Sequence, residues 1–392
     1  MFNFKKKKGV LESGEIKAKN FKEVVSFDLV ANLPIIEVQI EGKKYKFLFD
    51  TGALSVVPIS LLQELSLEVV QAIDVSDSKE QNSSAFIYNL PSLKVGNIEF
   101  CDYVVVASDF TKQLPMCCLG FDGIFGYNFL SQLVVEISYE KKEIILLDKL
   151  SHSLGFTQTP LIFDGHAGPR FEINFPFRNI SFVIDTGKND GISLAVTEEL
   201  GAFKEYAKGT KEIRGLFSSS FSGAKEEEVE TVYLLENFNI TKNIAIKRYP
   251  VSLNDGLESL VGNSFLKNFD IILDFKKKMF YMKQLDNALL EKNFNDSFGF
   301  FLHWDETRKL YISALSNSSL ASNAGLKLGD RILELDGKDT YEFTKEDYCA
   351  LFLALNSDEK TYESLNRLEL TIKTGSTIKR VLLKKMNTIG NK

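Results

Sequence analysis

The sequence predicts a mainly β protein made of two copies of one pattern, followed by a smaller third unit. Three observations carry that reading. Phe47-Leu48-Phe49-Asp50-Thr51-Gly52-Ala53 recurs as Phe182-Val183-Ile184-Asp185-Thr186-Gly187-Lys188. Further on, Gly123-Ile124-Phe125-Gly126-Tyr127-Asn128-Phe129-Leu130 recurs as Ser259-Leu260-Val261-Gly262-Asn263-Ser264-Phe265-Leu266. The spacing agrees as well, with 76 residues from Asp50 to Gly126 and 77 from Asp185 to Gly262. Motif, spacing and flanking pattern together are a far stronger signal of duplication than any short motif alone.

With 392 residues the chain is too long for one compact core, so two or three domains are expected. Its 44% hydrophobic and 26% charged residues are those of an ordinary globular protein rather than a disordered one. A formal charge of −6 argues against nucleic acid or an anionic membrane surface as partner. No apolar run approaches the length of a membrane span.

Residues 1–24 are rich in Lys and Glu with little periodicity and read as a loose extension. A secretory signal would place an apolar segment after Lys5 to Lys8, where this sequence turns polar. That fits a cytosolic protein or one whose leader has been removed, and the lysines read as a solvated tail.

From Val25 the pattern is strand-like. Ile36 to Ile40 alternates apolar and polar, a turn follows at Glu41-Gly42-Lys43-Lys44, and Tyr45 to Phe49 run into Asp50. This is the pattern of a hairpin. In the second copy Phe171 to Phe175 alternate likewise, and Ile180 to Ile184 lead into Asp185. Phe171 precedes Asp185 by 14 residues, as Ile36 precedes Asp50. Each copy then predicts a second hairpin, Leu133 to Ile137 with Glu143 to Leu147, and Phe269 to Leu273 with Met279 to Met282.

The third unit follows a helical-looking Asp286 to Lys292. It holds Ser297-Phe298-Gly299-Phe300-Phe301-Leu302, a strand over Leu310 to Leu315, and Ala324-Gly325-Leu326 with Gly329-Asp330-Arg331-Ile332. A helix over Glu346 to Leu355 and strands over Arg367 to Lys373 and Thr377 to Leu383 complete it.

The chemistry lies in the two acids. A carboxylate placed straight after buried β-branched and aromatic residues is costly unless something shares its charge. Two acids brought together share one proton, because both cannot ionise. The ionised one can then draw a proton from water while the protonated one polarises a carbonyl. Thr51 and Thr186 can donate hydroxyls across the interface of the copies, and Gly52 and Gly187 let the backbone approach the partner acid.

On these residues the chain resembles the pepsin and retropepsin family of aspartic proteases. Each lobe of that family supplies an Asp-Thr-Gly and, later, an apolar-apolar-Gly segment threaded behind it. Phe49 to Ala53 with Ile124-Phe125-Gly126 fit one lobe, and Ile184 to Gly187 with Leu260-Val261-Gly262 the other. The resemblance covers Val25 to Gln284. It implies retropepsin-like β-barrel lobes, catalytic Asp50 and Asp185, support from Thr51, Gly52, Thr186 and Gly187, a protein or peptide substrate, and no cofactor. One departure is Lys188, where the family has Ser, Thr or Ala. A cation there either holds both acids ionised or extends to solvent. Flap hairpins are expected in Val75 to Tyr88 and Gly209 to Gly223.

The third unit resembles a PDZ domain of the bacterial type. This implies that Phe298, Gly299 and Phe300 form a loop taking the C-terminus of an extended peptide. The alternative is a module that only packs on or holds the rest. The resulting division is an extension over 1–24, lobes over 25–150 and 151–286, and a PDZ domain over 290–386. Bacterial envelope proteins that pair these modules suggest export, whereas the visible N-terminus does not.

Other chemistries are poorly served. His152, His166 and His303 have no metal-ligand spacing, and no G-x-S-x-G or phosphate-binding Gly loop is present. Among Cys101, Cys117, Cys118 and Cys349, a disulfide from Cys101 to Cys117 or Cys118 competes with buried free thiols. Two classes of function remain: an aspartic endopeptidase, and a peptide-binding scaffold in which that fold has lost catalysis.

Overall fold

The computed structural model describes residues 3–4, 13–76, 82–151, 153–163, 168–195, 200–216, 228–254, 258–286, 288, 290–292, 294, 298–305, 307–356 and 367–385. The chain is mainly β, with closed barrel geometry and several sheets. None of the described helices is long and apolar enough to cross a membrane.

Alternation of apolar and polar residues puts one face of each early strand into a core, and the hairpins follow the predicted turns. Leu33–Ile40 pairs antiparallel with Lys43–Asp50, which pairs parallel with Gly123–Gly126. The path continues through Val56–Val57, Ile98–Ala107 and Asn82–Val95. It closes where Gln39 meets Lys94.

The second half repeats that circuit. Arg170–Asn174 pairs with Asn179–Ile184, then Leu260–Val261, Ile192–Ala195, Ile244–Asn254 and Glu228–Thr241. Closure comes where Asn174 meets Asn239. Gln39 lies 11 residues before Asp50, and Asn174 lies 11 before Asp185. The two ring closures therefore use the same position of each copy.

The halves share one further sheet. Val134–Ser138 lies antiparallel to Phe269–Asp274, with Ile137 opposite Ile271. Glu143–Leu147 and Lys22–Val30 extend it on one side, Met279–Gln284 and Thr157–Pro160 on the other. Its inward side chains, with Phe129 and Phe265, join the cores of both halves into one apolar cluster. Phe129 and Phe265 have no exposed surface, and truncating either to Ala would cost about 3–5 kcal/mol.

The C-terminal unit has its own core, which includes Phe298, Leu310, Ile312, Leu326, Ile332, Leu368, Leu370 and Ile372. Its helix is Lys345–Asn356, and its last strands are Arg367–Thr374 and Thr377–Lys384. These match the predicted elements to within a residue or so.

Two expectations differ from the structure. The stretch before Val25 is not wholly loose, because Glu15–Ile16 pairs with Cys101 and Phe100. That pairing is made by backbone groups at a strand edge and needs no side-chain periodicity. Among the described residues of 286–292 there is no helix. Glu291 instead bridges to Arg248, and the Lys292 N–H donates to the Arg248 carbonyl.

Candidate active site

Asp50 ends the strand Lys43–Asp50 and stands opposite Gly126, while the Asp185 N–H donates to the Val261 carbonyl at 3.0 Å. Each acid is thus delivered by a buried strand held from behind by the apolar-apolar-Gly segment. The glycines are needed there. A Cβ on Gly126 would lie 2.4 Å from the Ala53 carbonyl oxygen, and one on Gly262 would lie 2.5 Å from that of Asp190.

The two loops grip each other through their threonines. The Thr51 N–H donates to Thr186 Oγ1 at 3.0 Å, and the Thr186 N–H donates to Thr51 Oγ1 at 3.1 Å. Thr51 Oγ1 donates to the Ile184 carbonyl at 2.5 Å, and Thr186 Oγ1 to that of Phe49 at 2.7 Å. Both threonines are fully buried, so each of these groups would be costly to leave unpaired.

This grip brings the acids together. Asp50 is 6% exposed and Asp185 8%, and the charge of Asp185 acts on Asp50. A Cβ on Gly187 would fall 2.1 Å from Asp50 Oδ2, and one on Gly52 would fall 2.8 Å from Asp185 Oδ1. Each loop can pass the opposite carboxyl only because its third residue is glycine. The Gly52 N–H donates to Asp50 Oδ1 at 2.7 Å, and that of Gly187 to Asp185 Oδ1 at 2.9 Å.

Burial, and then the charge of Asp185, push Asp50 up to about 8. Burial raises Asp185 too, but the cation of Lys188 and the Gly187 N–H pull against it. Both acids are thus held above the ordinary carboxylate range, and the cation of Lys188 acts against that shift at Asp185.

Lys188 does not extend to solvent, as one reading of the sequence expected. Its side chain is 16% exposed and its Nζ is paired with Asp190. Burial works against its charge, yet Asp190, Glu230 and Asp185 outweigh that cost and raise its pKa. Its neighbour Glu230, on the strand Glu228–Thr241, is raised by burial and by Asp190 to about 7.

A second brace serves the Asp185 loop alone. Asn263 Nδ2 donates to the Thr186 carbonyl at 2.7 Å, and its Oδ1 accepts from Tyr139 Oη at 2.6 Å. Tyr139 comes from the first half, at the turn after Val134–Ser138. On the Asp50 side, Asn128 Oδ1 accepts the Ser55 N–H at 2.9 Å, and Ser55 Oγ accepts that of Gly126 at 2.8 Å. Sequence reasoning passed over Tyr139, Ser55 and Asn128. Asn128 and Asn263 both lie just after the repeated Gly, which was the available signal.

Both predicted flap segments belong to hairpins. Val69–Ser76 pairs with Asn82–Val95, and Thr210–Gly215 with Glu228–Thr241. Their tips, 77–81 and 217–227, lie outside the described residues.

Phe298, Gly299 and Phe300 precede and begin the strand Phe300–Trp304. Both rings are buried, and Gly299, at φ +84°, lies where a Cβ would meet that of Ser319 at 2.1 Å. The cysteines correct the sequence reading. Cys118 is bonded to Cys349, 231 residues away, while Cys101 and Cys117 are free. Strand pairing and helix packing bring the bonded pair together, which local spacing could not reveal. Of the histidines, His152 and His166 lie outside the described residues, and His303 Nδ1 is 2.5 Å from the Trp304 carbonyl.

A search of curated proteins finds no match for this chain. Residues 36–129 match a protein-family model described as aspartyl protease. The matched stretch includes Asp50-Thr51-Gly52 and Ile124-Phe125-Gly126, and at family level it speaks for a hydrolase of the aspartic type.

Proposed function

We propose that the protein is a single-chain, two-lobed aspartic endopeptidase, with each half supplying one carboxyl of the dyad. The observation that carries this reading is that the doubled Thr51–Thr186 grip sets the carboxyl of Asp50 against Gly187 and that of Asp185 against Gly52. Asp185, ionised, takes a proton from a water held between the carboxyls. Asp50, protonated, donates to the oxygen of the peptide carbonyl as the water attacks. No covalent intermediate is formed. The family match extends over the first half only, so the role of Asp185 rests on geometry.

The C-terminal unit is proposed to be a PDZ-like module. Phe300–Trp304 pairs with Leu310–Ser316 alone among the described strands, which leaves an edge for an extended peptide. Scaffold function without catalysis was favoured by Lys188, and the pairing of Lys188 with Asp190 weakens that reading.

The test is incubation with a mixed peptide library across pH, with and without a statine-type transition-state mimic. Turnover that the mimic blocks, and that Asp50→Asn and Asp185→Asn each lack, supports the endopeptidase. Peptide binding without turnover at any pH refutes it and leaves the scaffold.

A further inference from the structure

Away from the dyad, Cys117, Cys118 and Cys349 bring three sulfur atoms within 4.8 Å of one another. Cys118 and Cys349 are joined, and Cys117 is a half-buried free thiol beside them. Cys117 and Cys118 belong to a short turn of the first half, Met116–Leu119, whereas Cys349 lies on the helix Lys345–Asn356 of the C-terminal unit. Phe352 and Leu353 of that helix pack against a cluster of the first half that includes Leu54, Leu119 and Phe121. The disulfide thus fastens the C-terminal unit to the first half.

The opposite side of the unit is fastened to the second half. Leu310–Ser316 continues the sheet of the hairpin strand Thr210–Gly215, with Arg214 opposite Leu315. The Leu216 N–H donates to the Ser313 carbonyl at 2.7 Å, and the Asn317 N–H to that of Glu212 at 2.9 Å. Gly215, at φ +113°, makes the approach possible, since a Cβ there would meet the Ser313 carbonyl oxygen at 2.2 Å. The next strand of this hairpin carries Glu230, whose charge acts on Lys188 beside Asp185. A continuous mechanical connection therefore runs from the first half, through the disulfide and the C-terminal unit, to the hairpin strands 210–215 and 228–241.

We propose that Cys117, Cys118 and Cys349 form a thiol–disulfide exchange site for a small dithiol, and that its disulfide latches the paired strands 210–215 and 228–241 to the first half. One thiolate of the dithiol attacks a sulfur of the Cys118–Cys349 bond. That bond breaks and a mixed disulfide forms. The second thiol of the reagent then displaces the cysteine, closing the reagent to a cyclic disulfide and leaving Cys118 and Cys349 as thiols. Cys117 supplies a second closed register. Its thiolate attacks Cys349 Sγ, forms a Cys117–Cys349 bond and expels the Cys118 thiolate, with no net oxidation. Either register ties the same helix to the same turn, so the latch survives exchange and opens only on reduction.

The test uses the full chain. Hydrogen exchange over 210–215 and 228–241 is followed with and without dithiothreitol, together with peptide turnover and the exchange of 43–50 as a fold control. Reduction is expected to speed exchange in the hairpin at least tenfold, leave 43–50 unchanged and raise turnover severalfold. Cys349→Ser should show the fast exchange without reductant and respond no further. Cys118→Ser, oxidised with glutathione disulfide, should keep slow exchange and yield a Cys117–Cys349 crosslink by mass spectrometry.

Hairpin exchange that neither dithiothreitol nor Cys349→Ser changes overturns the latch. So does loss of protection throughout the chain, which would make the bond a staple of the fold, and so does turnover that falls on reduction. The turnover arm rests on the endopeptidase reading. Faster hairpin exchange with no turnover in any state keeps the latch and removes that reading.

Discussion

The two Asp-Thr-Gly loops share a backbone and differ in what surrounds it. After Gly52 come Ala53 and Leu54, both buried, and the loop is held by Ser55 and Asn128 of its own half. After Gly187 comes Lys188, with Asp190 and Glu230 about it, and the loop is braced by Tyr139 from the opposite half. The symmetric parts, threonines and glycines, bring the acids together. In the proposed dyad the asymmetric parts are what would set which acid keeps the proton. A cation on one side alone splits two otherwise equivalent carboxyls, since an opposite charge nearby favours the ionised form.

The dyad itself offers the sharpest way to break the comparison. Asp50→Asn and Asp185→Asn are each expected to lower peptide turnover by about 10²–10⁴, the range for losing a general acid or base, with circular dichroism unchanged. Unequal losses would sharpen the division of roles, and full activity in either variant would end it.

Next in size is the grip. Thr186→Val leaves the Thr51 N–H and the Phe49 carbonyl without their buried partner, at about 1–3 kcal/mol for each group. Thr51→Val should cost a similar amount, because the grip is symmetric. A shift of the urea midpoint at unchanged slope is the measurement.

Proton linkage gives the third prediction. The folded-state pKa of Asp50 lies above its ordinary value, so the folded chain binds more protons than the unfolded chain between those two values. The stability contributed is complete at low pH and is lost as pH rises from about 4 towards 8. Asp50→Asn should flatten this decline, and near pH 8 it should be the more stable of the two. Denaturant melts of both proteins from pH 4 to 8 measure it.

Lys188→Met bears on the asymmetry itself. Without the cation Asp185 holds its proton to higher pH, so the acid limb of the turnover profile should move up. Lys188→Arg should restore it. Smallest is Tyr139→Phe, which leaves Asn263 Oδ1 without the phenol and should lower kcat up to about tenfold with little change in KM. An equal loss from a substitution at Asn128 would show that the two braces do the same work.

Much of this arrangement was legible in the chain. The doubled Asp-Thr-Gly, the matched downstream glycines and the alternating strands are local or periodic features, and the structure puts them where that periodicity implies. What sequence reasoning missed is made by tertiary contact. Lys188 finds Asp190 two residues on, but Glu230 reaches it from another strand. Tyr139 and Asn263 are 124 positions apart, and Cys118 and Cys349 are 231 apart. The join between Thr210–Gly215 and Leu310–Ser316 uses backbone groups, which carry no residue signature. Among the described residues of 286–292, a bridge from Glu291 to Arg248 at a strand edge stands where a helix was expected.

The central claim is that the paired aspartates hold one proton between them, with Asp50 its keeper. Infrared difference spectra of the carboxyl C=O band, wild type against Asp50→Asn and Asp185→Asn, from pH 4 to 9, test it most directly. The account predicts a protonated-carboxyl band beyond pH 6 in the wild type, to which Glu230 contributes up to about 7, and the loss of the Asp50 share of that band in Asp50→Asn. A wild type with no protonated carboxyl above pH 5, or one whose band survives unchanged in Asp50→Asn, would contradict it.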